Sequence, residues 1–340
     1  MRTTALILAL ILQAAAPSKQ ALRTLVEARL VGAGQQIDAR ALAASLHQVL
    51  RDRKLLCDDC STNVAGYVDD IRVSRSGDFL IVVAPLGTAC GYDESSYVYH
   101  WESGRWRGIW EHEENPAAGD YLPQYVHDLQ ISSPDADRSR LLLELGSQTI
   151  CGGAFKDLYA RAWRLDADGR STRVLNWKAY ANDGYPPIAG RVTPNDVLIE
   201  YTADGFADGD SHIAVRHFTV DGRAATEADP IALRPHDFVL EWLDAPWTES
   251  GRRSESPSLE AAHAQLRRTD HAGDFPEPTL RCGSGSDLWQ VATKLYQGPK
   301  RYYRVRWRQP LQFAVVDISD MPFTDCTIPD GRGEVYPKIF

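Results

Sequence analysis

Hydrophobic positions recur every third or fourth residue up to about residue 56, and every second residue from about residue 66 onward. The first pattern predicts helices. Leu22, Leu25, Val26 and Leu30 fall on one face before Gly32-Ala33-Gly34 interrupts the run. A second helix is predicted from Asp38, a natural N-cap, with Leu42, Leu46, Val49 and Leu50 on one side. Residues 17–56 therefore read as an amphipathic helical hairpin.

The alternating pattern predicts strands, and it repeats. One copy runs through Ile71-Arg72-Val73, Phe79-Leu80-Ile81-Val82-Val83, Tyr97-Val98-Tyr99 and Trp106 to Trp110, with Glu102-Ser103-Gly104 as a turn. The next runs through Leu129-Gln130-Ile131, Leu141-Leu142-Leu143, Tyr159 to Trp163 and Arg173-Val174-Leu175, with a turn at Asp168-Gly169. A third has Arg191-Val192, Val197-Leu198-Ile199, Ile213 to Val220, a turn at Asp221-Gly222 and a degenerate last strand. The repeat is roughly 60 residues long, and each copy is four short strands, the pattern of propeller blades. Residues 57–247 are thus expected to be a mainly β, propeller-like array of about three four-stranded repeats. A β-sandwich is the competing architecture. Residues 248–340 read as an α+β unit or an elaborated fourth repeat, with a helix over 258–268 and strands over 289–296, 302–307 and 313–318. The stretch 235–247 just before it reads as loop.

The segments Leu86-Gly87-Thr88, Cys90-Gly91, Pro257-Ser258-Leu259 and Asp287-Leu288-Trp289-Gln290-Val291 resemble those of a group of exported bacterial proteins with propeller-like repeats. That resemblance implies the architecture and no activity.

Charge and cysteines add a compartment. The first 16 residues have the layout of a secretory signal peptide: Arg2, an apolar run from Ala5 to Leu12, and Ala14-Ala15-Ala16 for cleavage. A periplasmic or secreted chain without a transmembrane segment is expected. Six cysteines fit an oxidising compartment. Cys282 is expected to pair with Cys326 across the strand-rich C-terminal unit. Cys90 is expected to pair with Cys151, at matching points of adjacent repeats. Cys57-Asp58-Asp59-Cys60 reads as a structural disulfide, because two carboxylates disfavour a reactive thiolate and no second C-x-x-C completes a zinc site. A formal net charge of −9 argues against a nucleic-acid partner.

Catalytic motifs are absent. Gly283-Ser284-Gly285-Ser286-Asp287 is not G-x-S-x-G, and His112-Glu113 is followed by Glu114, Asn115 and Pro116 rather than by H-E-x-x-H spacing. The basic run 300–308 reads as arginines paired with the protein's own carboxylates. Function is instead expected on one edge. In a four-stranded meander the turns between third and fourth strands are short here, so long connections collect on the opposite edge, where binding residues concentrate. That edge carries Asp93, Glu94, His112, Glu113, Asp183, Asp204, Asp208 and Asp210. It would suit a cation, a peptide, a protein partner or a hydroxyl-rich glycan. Asp204, Asp208 and Asp210 could hold Ca²⁺, but they lack the EF-hand register, and no cofactor is expected. The first reading is ligand or partner binding without catalysis. The alternatives are a secreted hydrolase or lyase acting on glycans through paired carboxylates, and a structural component of the cell envelope.

Overall fold

The computed structural model describes residues 19–52, 71–88, 91–112, 124–149, 156–181, 188–204, 211–228, 231–232, 234–266, 278–284, 287–294, 299–309 and 312–328. The chain divides into two compact units, Met1–Val126 with Gln148–Gly153, and His127–Ser147 with Ala154–Phe340. Among the described residues no helix is long and apolar enough to cross a membrane.

The N-terminal helices form as their spacing predicts: α1 is Lys19–Leu30 and α2 is Ala39–Asp52. Gly32 takes a positive φ of 74° just beyond α1, a conformation that costs glycine little. The Asp38 carboxylate accepts the backbone N–H groups of Arg40 and Ala41, at 2.8 and 3.1 Å, and so caps α2. Leu22, Val26, Leu30, Leu42, Leu46 and Leu50 bury against the first sheet.

That sheet runs in sequential order through β1 (Arg72–Ser76), β2 (Phe79–Thr88), β3 (Gly91–Glu102) and β4 (Arg105–His112). Leu80, Val82, Ala84, Tyr97 and Tyr99 face the helices. Trp106 Nε1 donates to the Gly34 carbonyl, and Arg23 of α1 pairs with Glu111. In a stack of blades this face would be covered by a preceding blade; here the helical hairpin covers it. The turn from β3 to β4 has Ser103 and Gly104 at φ of 52° and 79°, both central residues positive as a type I′ hairpin turn demands.

The second sheet repeats the meander with β5 (Gln124–Ile131), β6 (Arg140–Thr149), β7 (Lys156–Leu165) and β8 (Ser171–Ala181). The third is β9 (Ile188–Val192), β10 (Asp196–Asp204), β11 (Ser211–Asp221) and the short β12 (Ala224–Glu227), with β13 (Ile231–Ala232) pairing further along β11. Leu141, Leu143, Leu145, Leu158 and Ala160 of the second sheet share one core with Val197, Ile199, Tyr201 and Ala214 of the third. Consecutive strands are neighbours in all three sheets, with no strand exchanged between sheets. This is the blade pattern, and a sandwich would instead distribute consecutive strands between two sheets. The chain is therefore mainly β with propeller-like four-stranded repeats.

The stretch expected to be loop before the C-terminal unit is helical: α3 spans Pro235–Asp244. Proline at the first helical position starts a helix rather than breaking one, and Phe238, Val239, Trp242 and Leu243 all bury. The short α4 (Trp247–Ser250) follows, and then α5 (Leu259–Leu266), within the predicted helix. A fourth sheet has the order β17-β16-β15-β14-β18, made of β14 (Leu280–Cys282), β15 (Leu288–Lys294), β16 (Lys300–Gln309), β17 (Gln312–Ser319) and β18 (Cys326–Thr327). It buries Val291, Tyr303, Val305 and Val315 against α3 and α5. Cys282 and Cys326 are bonded and face each other in the β14–β18 register, as expected for this pair. Cys57, Cys60, Cys90 and Cys151 lie outside the described residues.

Candidate functional site

The short turns and the long connections do fall at opposite ends of the strands. The connections are tighter than the sequence suggested, however. Strands β2 and β3 pair as far as Thr88 and Gly91, and β10 and β11 as far as Asp204 and Ser211. Asp93 and Asp204 are therefore strand residues, opposite Leu86 and Ser211, rather than loop residues. Glu113, Asp183, Asp208 and Asp210 lie outside the described residues.

Glu94 is corrected more sharply. It belongs to β3, is only 5% exposed, and does not present a charge to solvent. Its Oε2 receives Arg72 Nη2 at 2.7 Å and the backbone N–H of Val126. Arg72 Nη2 also donates to the Val126 carbonyl at 2.8 Å, and Gln124 Nε2 donates to the Glu94 carbonyl at 3.0 Å. Burying a carboxylate is costly unless it is paired and hydrogen-bonded. These partners supply that compensation, so Glu94 ties β3 to β1 and to the start of β5.

Period two then builds a row. In the strand register Arg72 stands opposite Val83, Val83 opposite Ser96, and Ser96 opposite His112. All four share the face turned away from the helices, together with Glu94, Val98 and Trp110. The His112 and Trp110 rings lie 5.9 Å apart. His112 and the Arg72 side chain are partly exposed, the latter by 39%. Ser96 is fully buried, and neither its Oγ nor the buried Nε of Arg72 has a hydrogen-bond partner among the described residues.

Polar residues are also buried in other strands at the ends that lead into long connections. Gln124 at the start of β5 and Ser147 and Gln148 at the end of β6 are buried, and Ser147 Oγ lies 3.0 Å from His127 Nε2. In the third repeat, Asp237 of α3 accepts the N–H of Ile213 at 3.4 Å and lies 3.5 Å from Arg234 Nε. Burial pushes the Glu200 carboxyl up, against the pull of the same Arg234. At the opposite strand ends Phe79-Leu80-Ile81, Leu141-Leu142-Leu143 and Val197-Leu198-Ile199 are buried, alongside the buried polar residues Ser132 and Ser139. Where a hydroxyl is buried at the short-turn end, as in Ser132, the turn backbone satisfies it: Ser132 Oγ accepts from Leu141 N at 2.9 Å and donates to the Ser133 carbonyl at 2.7 Å.

The basic run is spent on internal pairs, as its composition suggested. Arg301 pairs with Asp320, Arg304 with Asp325, and Arg306 with Glu255 and Asp287. Arg308 also reaches Glu255. Burial alone would raise the Glu255 carboxyl, but hydrogen bonds from Arg308 and Arg306 hold it below its ordinary value. Among the described residues no cluster of His, Cys, Asp and Glu could hold a metal ion.

Neither Arg72 nor Ser96 was singled out from sequence. Arg72 lies 22 residues before Glu94, and only the pairing of β1, β2 and β3 brings them together. The available signal was Glu94-Ser95-Ser96 leading into the aromatic strand Tyr97-Val98-Tyr99, polar residues continuing a pattern that otherwise buries.

No family model and no curated protein matches this chain. Among solved structures, it is similar to a thermostable family-43 glycoside hydrolase at 11% identity, over 77% of this chain and 78% of that one, with a TM-score of 0.26. A likeness at that level bears on neither activity nor substrate.

Proposed function

We propose that this is an exported, propeller-like binding protein that takes its ligand or partner at the long-connection edge of its blades, without catalysis. The observation that carries the reading is the polar row Arg72–Ser96–His112 beside Glu94, with a buried hydroxyl and a buried guanidinium N–H that have no hydrogen-bond partner among the described residues. Natural folds satisfy nearly all buried polar atoms, so an ordered water or a bound group would be needed to meet these two. The Cys282–Cys326 bond is in keeping with export.

The test begins with thermal-shift screening of the purified chain against glycans, metal ions and peptides. Two variant sets are then compared on the ligand found, one at the long-connection edge (His112→Ala, Glu113→Gln, Asp183→Asn, Asp208→Asn) and one at the short turns (Glu102→Gln, Asp168→Asn, Asp221→Asn). Loss of binding in the first set alone is expected. Loss in the second set alone overturns the reading.

A second reading, glycan hydrolysis by paired carboxylates, draws on Glu200, whose carboxyl burial pushes up, and on Asp237, 3.5 Å from Arg234 Nε. A carboxyl raised by burial is suited to the role of general acid. Reducing-sugar release that disappears in Glu200→Gln would favour it over binding alone.

A further inference from the structure

The fourth sheet is crossed by a segment of its own chain. Strands β17 and β18 are consecutive in sequence but lie at opposite edges, so residues 320–325 must pass β16, β15 and β14 to join them. On the way the Phe323 N–H donates to Gln290 Oε1 at 2.7 Å, and the Arg304 guanidinium lies 4.2 Å from the centre of the Phe323 ring. Gln290 and Arg304 stand opposite each other in the β15–β16 register. Their neighbours Val291, Tyr303 and Val305 bury against α3 and α5, so the segment lies on the face turned away from those helices. Asp320 and Asp325 pair with Arg301 and Arg304, and Gly283 N donates to the Asp325 carbonyl at 2.9 Å.

These contacts are weak for the length of chain they hold. No residue of 320–328 is buried, and Met321 and Ile328 are 70% and 68% exposed. The hydrophobic effect therefore does little to seat the segment, exposed ion pairs add little more, and ordering each residue has an entropic cost. Strand β18 itself pairs at only two positions. The covalent bond from Cys326 to the fully buried Cys282 is the remaining tether. We propose that residues 320–327 form a strap that this disulfide locks onto the fourth sheet and that a dithiol releases, uncovering Gln290 and Arg304 while the blades stay folded. Cys326 is the partly exposed partner, so a thiolate of the dithiol attacks its Sγ. The S–S bond breaks, Cys282 leaves with the electron pair and takes up a proton, and a mixed disulfide forms at Cys326. The second thiolate of the dithiol then displaces Cys326, which leaves two protein thiols and a cyclic disulfide. Asp325 approaches Cys326 Sγ at 3.8 Å but is paired with Arg304, so its charge does not turn the attacking thiolate away.

The experiment is hydrogen–deuterium exchange on the full chain, oxidised and after treatment with dithiothreitol in the absence of denaturant. The variant Cys282→Ala/Cys326→Ala is measured beside it, because it removes this bond and leaves every other cysteine in place. Peptides covering residues 320–328 are expected to exchange about tenfold faster in the reduced parent and in the variant, the behaviour of a segment that opens locally. Peptides covering residues 79–83, 141–145 and 197–201, in the blade cores, should keep the oxidised rate in the variant. Alkylation followed by peptide mapping should find Cys282 and Cys326 as thiols after dithiothreitol alone. A bond that dithiothreitol opens only in urea overturns the release. Strap exchange as slow in the reduced parent and the variant as in the oxidised chain means that the polar contacts suffice, and overturns the lock. Blade peptides that accelerate together with the strap in the variant make the bond a staple of the whole fold and overturn the local device.

Discussion

Glu94 and Arg72 stand on strands that are not neighbours, yet their side chains meet at 2.7 Å across the intervening β2. The pair also captures both backbone groups of Val126, so one carboxylate joins β1, β3 and the start of β5. Glu94→Ala leaves the Val126 N–H and part of the guanidinium without an acceptor. Urea unfolding should show a loss of about 1–3 kcal/mol, the cost of stranding buried polar groups. Glu94→Gln retains an oxygen and should lose less. Equal stability of Glu94→Ala and the parent would mean that Glu94 is an ordinary surface acid after all.

Gly190 of β9 packs closely against the second sheet. A Cβ placed there would lie 2.7 Å from Leu145 Cδ1, 3.1 Å from Leu143 Cδ2 and 3.1 Å from the Leu198 carbonyl oxygen. Gln130 Nε2 also donates to the Gly190 carbonyl at 2.8 Å. Both leucines are fully buried, so neither can swing into solvent. Gly190→Ala should therefore cost about 1–3 kcal/mol, the range for overpacking a filled core. A midpoint unchanged in thermal unfolding would contradict this stacking.

The Cys282–Cys326 bond closes a loop of sequence separation 44. In the chain-entropy model a loop of that size stabilises by about 4 kcal/mol. The double variant Cys282→Ser/Cys326→Ser should unfold at correspondingly lower denaturant, and non-reducing peptide mapping of the parent should recover the 282–326 cross-link. Free thiols at either position would refute the pairing.

Tyr303 offers a test in pH. Burial pushes its phenol up to about 12, against smaller opposing effects from the Thr293 hydrogen bond and Arg301. Because the folded value exceeds the ordinary value of 10.0, the native state holds this proton longer than the unfolded chain. Its contribution to stability is complete below pH 10 and is lost as pH rises toward 12. Tyr303→Phe should flatten that alkaline decline and remove one late-ionising phenol from the ultraviolet titration. If all tyrosines titrate together near pH 10, Tyr303 is not buried against α3.

The blades were legible because their turns and strands are coded locally. Alternation over Phe79 to Val83 and the Ser103-Gly104 turn need no distant partner to be read. The hairpin was legible for the same reason, down to the Asp38 cap. What escaped depends on context. Pro235 looked like a stop until the buried Phe238, Val239 and Trp242 showed it as the first residue of a helix. Glu94 looked like a solvated acid because nothing in the sequence near it announces Arg72, which only the strand register supplies. Acidic composition alone thus misjudged Glu94, whose charge is met by Arg72 and the Val126 N–H.

The most direct test of the binding edge is backbone hydrogen–deuterium exchange with and without a saturating concentration of the glycan, metal ion or peptide that the thermal-shift screen selects. Protection is expected in peptides covering residues 84–96 and 108–112, where β2 joins β3 and β4 ends beside Ser96. Protection confined to residues 76–79 and 102–105, the short turns at the other end of the same sheet, would contradict the account.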